Sequence, residues 1–281
     1  MGECWTMLQN ETYEGLIKSI QRKKTLLIVV TIIIAITTIV LSSPIYIQIA
    51  DQVVVEQQGL PSPITMAVLA MVLGLEWFIS LIIHEPLRSS LDQECDPHKF
   101  LILNRRLAAS RALDAVNSVG LLYSGQFAEA IFYADRIIAN KKGKMKLSAY
   151  FNKARCLFFL GNMAEMKNTV AQFTADLKEM NTRNQRVTDT YAHVFDSLQL
   201  MCAIADGDTK QIELCRNKAS VWSNSKMTEG FIDYLKGVAA YLLKDNDEAV
   251  YRFRSVCEHC SKTVLGKYAS NYLNEIQGQQ Q

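Results

Sequence analysis

Between Thr25 and Ala50 the chain carries no formal charge, and between Ser43 and Pro63 it has no Lys or Arg. The first absence excludes a solvated surface helix, because a helix that is apolar on every face needs lipid or a large core around it. The second leaves Lys18, Arg22, Lys23 and Lys24 on one side of the gap and Arg88, Lys99, Arg105 and Arg106 on the other. Cysteine is also missing from this gap. Cys4, Cys95, Cys156, Cys202, Cys215, Cys257 and Cys260 all lie outside it. Their odd number and irregular spacing exclude a disulfide framework and fit thiols in a reducing compartment. No Gly-rich phosphate loop is present, and no nucleophile, base and acid fall into a recognisable constellation. No enzymatic activity, cofactor or small-molecule substrate is therefore expected.

What the gap does hold is two long apolar runs, Thr25 to about Ser43 and Ile64 to Ile83, joined by residues 44–63. Each is long enough to cross a bilayer, which takes about 20 residues. The retention of Lys and Arg on the cytoplasmic side predicts a two-helix transmembrane hairpin with both termini cytoplasmic. A bacterial plasma membrane fits its short exported loop. The domain plan expected is a basic leader over 1–24, the hairpin over 25–83, a linker over 84–98 and a cytoplasmic helical domain over 99–281. The leader repeats Trp5, Leu8, Tyr13, Leu16, Ile17 and Ile20 at helical intervals, so it reads either as an amphipathic surface helix or as an extension of the first run. The connection, rich in β-branched residues, reads as extended strand or as continued helix. Glu76 is the one acid inside a run and is a candidate intramembrane contact.

Mean hydropathy is +0.04 with 21% charged residues, too polar for a chain made only of membrane helices. From His84 onward there are 26 Lys and Arg against 22 Asp and Glu. That weakly basic balance excludes the charge concentration of a dedicated nucleic-acid binder. Lys141, Lys142, Lys144 and Lys146 form the densest basic run. It reads as a solvated turn or as a contact with anionic lipid headgroups. Cys257 and Cys260 have CxxC spacing, but a structural zinc site wants four ligands and no second pair exists.

The region after residue 98 has helical periodicity throughout, and four turns recur within it. They are Tyr123-Ser124-Gly125-Gln126-Phe127, Phe159-Leu160-Gly161-Asn162-Met163, Ala205-Asp206-Gly207-Asp208-Thr209 and Leu243-Lys244-Asp245-Asn246-Asp247. Their anchors, at 125, 161, 207 and 244, are separated by 36, 46 and 37 residues. Small and aromatic residues sit at fixed distances from them: Gly237, Ala240, Ala249, Phe253 and Val256 in the fourth unit, and Ser118, Gly125, Phe127, Ala130 and Ala134 in the first. The second offers Ala154, Leu157 and Gly161, and the third Ala203, Gly207 and Ala219.

This pattern resembles the tetratricopeptide repeat (TPR), a helix-turn-helix unit of about 34 residues. Met166 and Ile212 depart from the family's alanine, and the 46-residue interval implies longer helices or an insertion near Asn181 to Asp189. The expected fold is all-α, a transmembrane hairpin followed by a TPR-like α-α repeat solenoid, with Val264 to Ile276 capping the stack. The resemblance implies a concave face lined by Ala115, Val119 and Leu122, by Phe151, Arg155 and Phe158, by Ser197, Met201 and Ile204, and by Tyr234, Val238 and Tyr241. Phe151, Arg155, Phe158, Met201, Tyr234, Val238 and Tyr241 are its candidate peptide-binding residues. With a single charge, such a lining suits a hydrophobic or helical segment of another protein. Two functions are thus expected: a membrane-anchored interaction or scaffold module, or an accessory subunit of a transporter or membrane enzyme that contacts it through the hairpin. Other proteins and the lipid bilayer are the expected partners, and nucleic acid is not.

Overall fold

The structure, a computed structural model, describes the backbone of residues 2–42, 47–49, 52–54, 70, 74, 85–107, 113–181 and 185–279, and most side chains from Glu14 onward. It divides into two compact units, Met1–Pro86 and Leu87–Gln281.

In the first unit α1 (Gly2–Ser42) is a single continuous helix. The leader therefore prolongs the first apolar run rather than forming a separate helix. Ile17 and Ile20, three residues apart, are buried, whereas Leu26, Ile32, Ile33 and Ile36 are exposed. β1 (Ile47–Ile49) and β2 (Gln52–Val54) pair antiparallel with Ile47 opposite Val54 and Ile49 opposite Gln52. β-Branched residues favour the extended backbone, and the connection takes that alternative.

Among the described residues no helix is long and apolar enough to cross a membrane. This corrects the expected multi-pass placement with both termini in the cytoplasm of a bacterium. A crossing needs about 20 apolar residues in one helix. The described side chains of the first run end at Ile36, and of the second run only Ala70 and Gly74 are described. The second arm of the expected hairpin and Glu76 lie outside the described residues.

The second unit is helical throughout its described length. α2 (described over residues 85–92) and α3 (Pro97–Leu107) open it. The stretch read as a linker, 84–98, thus contains α2 and the buried Leu87, Leu91 and Cys95. Then follow α4 (Leu113–Tyr123), α5 (Phe127–Asn140), α6 (Lys144–Phe159), α7 (Met163–Asn181), α8 (Gln185–Asp206), α9 (Thr209–Lys218), α10 (Lys226–Leu242), α11 (Asn246–His259) and α12 (Val264–Gln279). The 46-residue interval is taken up by the length of α7 and α8.

From α4 on, each helix packs against the next, except that α9 and α10 are joined by the longer loop 219–225 and still touch. The even-numbered helices also pack on one another: α4 with α6, α6 with α8, α8 with α10, and α10 with α12. Close approach depends on small residues. A Cβ added at Gly237 would lie 2.8 Å from the Phe253 ring, so α10 and α11 meet where only hydrogen fits. Ala130, Ala134, Ala240 and Ala249 are fully buried at the corresponding crossings.

The four anchors share one backbone conformation. Gly125, Gly161, Gly207 and Lys244 have φ of 84°, 73°, 66° and 62°. At the first, second and fourth, a C-terminal Schellman bond pair closes the preceding helix: Gly125 N donates to Leu122 O and Gln126 N to Leu121 O, with the same pattern at Gly161 and Lys244. Asp208 and Asp245 then cap α9 and α11 by accepting backbone N–H bonds.

Candidate functional site

Of the residues expected to line a groove, Phe151, Arg155, Phe158, Met201, Tyr234 and Val238 are all buried, at most 8% exposed. Phe151, Arg155 and Met201 do not belong to the lining of the open cleft between α6, α8, α10 and α12. The loop between α9 and α10 brings Trp222 against Phe151. Trp222 meets the Phe151 ring edge-on at 5.3 Å, and Phe231 of α10 meets it at 6.1 Å. The guanidinium of Arg155 lies 4.2 Å from the Phe151 centroid, 5.1 Å from Phe231 and 5.2 Å from Tyr123. It donates to the Tyr123 hydroxyl and to Asn152 Oδ1. Its Nε has no hydrogen-bond partner among the described residues. Ring faces and neutral acceptors, rather than a carboxylate, hold this cation. Burial pushes the Tyr123 hydroxyl above its ordinary pKa against the opposing pull of Arg155.

The N-terminal part of the unit closes the same side. Gln93 Nε2 donates to Asn224 O at 3.0 Å, Ser225 Oγ to Asp92 Oδ1 at 3.2 Å, and Lys262 Nζ to Asp96 Oδ2 at 3.0 Å. Cys260 Sγ donates to Cys95 Sγ at 3.5 Å. The accepted bond lowers the Cys95 thiol, and the donated one together with burial raises Cys260. Cys257 turns the other way, its Sγ 3.7 Å from Gly266 O. The CxxC residues therefore do not act as a pair. Among the described residues no group of three His, Cys, Asp or Glu is placed to hold a metal.

Phe158, Tyr234 and Val238 do come together, at an open cleft of about 440 Å³. α6 supplies Phe158 and Phe159, α8 Ile204, and α10 Tyr234, Val238 and Leu242. α12 forms the opposite wall with Tyr268, Asn271, Tyr272 and Glu275, and Met163 of α7 closes one end. Phe159 is central: its ring stacks on Phe127 at 5.4 Å and on Tyr268 at 5.6 Å, and lies 5.6 Å from Tyr234. Tyr272 stacks on Phe253 at 4.8 Å with planes 5° apart, and its edge contact with Tyr241 is 5.2 Å. The Tyr241 hydroxyl donates to Glu275 Oε1 at 2.6 Å, which places Tyr241 at the rim. Burial raises Tyr234 and Tyr272 above the usual phenol range, and the Glu275 charge adds to the rise at Tyr272.

The α12 wall stands outside the expected lining, which falls on α4, α6, α8 and α10. The signal available was the spacing Tyr268-Tyr272-Glu275, one face of an amphipathic helix. Of the basic run, Lys141, Lys142 and Lys144 are exposed where α5 joins α6. Lys146 pairs with Asp176 at 2.8 Å and lies 5.4 Å from the Tyr150 ring centroid. The bond to Asp176 raises its pKa. No family model, curated protein or solved structure matches this chain.

Proposed function

We propose that residues 87–281 form a TPR-like helical-repeat solenoid whose task is to bind a segment of another protein, without catalysis. The observation that carries this reading is the open aromatic cleft between α6, α8, α10 and α12. The four turns with a positive-φ anchor and the row of even-numbered helices packed on one another support the repeat assignment. A cleft of this size takes a few side chains of a short segment, and its ring-lined wall favours an apolar stretch that lays one face against it. Phe151, Arg155 and Met201 do not line this cleft, so the proposed contact is with Phe158, Tyr234 and Val238.

Selection of peptides from a random display library on the full chain tests the reading. Enriched peptides should lose at least about ten-fold in affinity for Asn271→Trp, because Asn271 is exposed on α12 and the larger ring would fill the cleft without disturbing the core. Absence of enrichment, or equal binding by the variant, would remove the cleft as the binding site.

A further inference from the structure

The cleft has one charged residue in its lining, Glu275, and that charge is negative. Glu275 Oε1 accepts the Tyr241 hydroxyl, and Glu275 is exposed. The rings of Tyr234, Tyr268 and Tyr272 line the same cleft, while Phe159 is stacked on Phe127 and on Tyr268. A ring face carries the negative part of the aromatic quadrupole and attracts a cation, the more so where water is partly excluded. The Glu275 carboxylate in the same lining adds a point charge of the same sign.

From these observations we infer that the cleft receives an arginine side chain presented by the bound segment of the partner protein. The inference rests on the proposed segment-binding function and adds the chemistry of its anchor. Arginine suits the site better than lysine for two reasons. Its planar guanidinium stacks on rings, and its fork donates to a carboxylate from two nitrogens. Its three-carbon stem also needs apolar wall, which Ile204, Val238 and Leu242 provide beside the rings. The interior of the same unit shows the arrangement in closed form. There Arg155 is held against the rings of Phe151, Phe231 and Tyr123, and the acceptors of its hydrogen bonds among the described residues are the neutral Tyr123 and Asn152.

The test uses two small probes of nearly equal shape and different charge, butylguanidinium and butylurea, titrated into the full chain labelled with 3-fluorotyrosine. Fluorine resonances of Tyr268 and Tyr272, assigned by Tyr→Phe variants, report occupancy. Butylguanidinium should saturate with a dissociation constant at least about ten-fold below that of butylurea. Glu275→Gln should bring the two within about two-fold, while Tyr241→Phe, which leaves the carboxylate in place, should keep the preference. Equal titration by the two probes, or an unchanged preference in Glu275→Gln, would overturn the arginine anchor and leave the segment-binding reading intact. If neither probe saturates while selected peptides still bind and still fail on Asn271→Trp, the anchor alone is wrong. If no peptide is selected either, both readings fall. A thermal melt of Glu275→Gln like that of the parent shows that a lost preference is not a lost fold, as expected for an exposed residue on α12.

Discussion

Lys244 occupies, with a side chain, a position that three other turns give to glycine. At φ 62° its Cβ crowds the following carbonyl, a conformation that costs a non-glycine residue about 1–2 kcal/mol. Lys244→Gly should stabilise the second unit by up to about 1 kcal/mol, because glycine's larger unfolded-state entropy offsets part of the relief. In a unit of this size that raises the melting midpoint by about 2–4 °C. Gly161→Ala, at φ 73° with open space around the new methyl, should lower it by a similar amount. Arg155 gives a second prediction at this scale. Tyr123→Phe removes the acceptor of a buried charged donor and should cost about 1–3 kcal/mol in urea unfolding. Adding Arg155→Met should recover most of that loss, since the methionine brings no charge into the ring-lined interior. A double variant as weak as the single one would show that the loss does not come from the charge left without its acceptor.

At the scale of elements, α12 packs against α10 and α11 and forms a wall of the cleft. Its Tyr272 stacks on Phe253 of α11 and edges against Tyr234 and Tyr241 of α10. Tyr272→Ala should therefore cost about 2–3 kcal/mol, measurable as a shift in the urea midpoint. It should also weaken any selected peptide, because the same ring lines the cleft. The helices themselves were legible from periodicity. So were the four turns, since a left-handed backbone at a helix end asks for glycine and three of the anchors supply it. The loop 219–225 was not legible. Nothing local says that Trp222 folds inward onto Phe151, because that contact joins residues 71 positions apart and is settled by the shape of the space that α6 and α10 leave. For the same reason the family resemblance did not separate Phe158, Tyr234 and Val238, which line the cleft, from Phe151, Arg155 and Met201, which do not.

Taken whole, the second unit buries groups that must stay neutral. Burial pushes the Cys156 thiol from 9.0 up to about 12 and the Cys202 thiol up to about 11, and it raises the Tyr123 and Tyr234 hydroxyls. A folded pKa above the unfolded one means that the fold favours the protonated form. The corresponding stability is fully present below the unfolded value near 9 and is lost as pH rises toward the folded values. Unfolding midpoints in urea should thus be independent of these groups from pH 7 to about pH 9 and fall steeply above it. Cys156→Ala, which removes the most strongly shifted of the two thiols, should make that fall shallower. The amino-acid order by itself determined which segments are helices, where they turn and which faces are apolar, because these follow from local backbone preference and from a period of 3.6 residues. Only the tertiary structure decided which apolar faces remain open. Whether a ring is core or cleft depends on what other helices bring against it, and the α12 wall, the inward Trp222 and the cation held by rings at Arg155 all come from residues far apart in the chain.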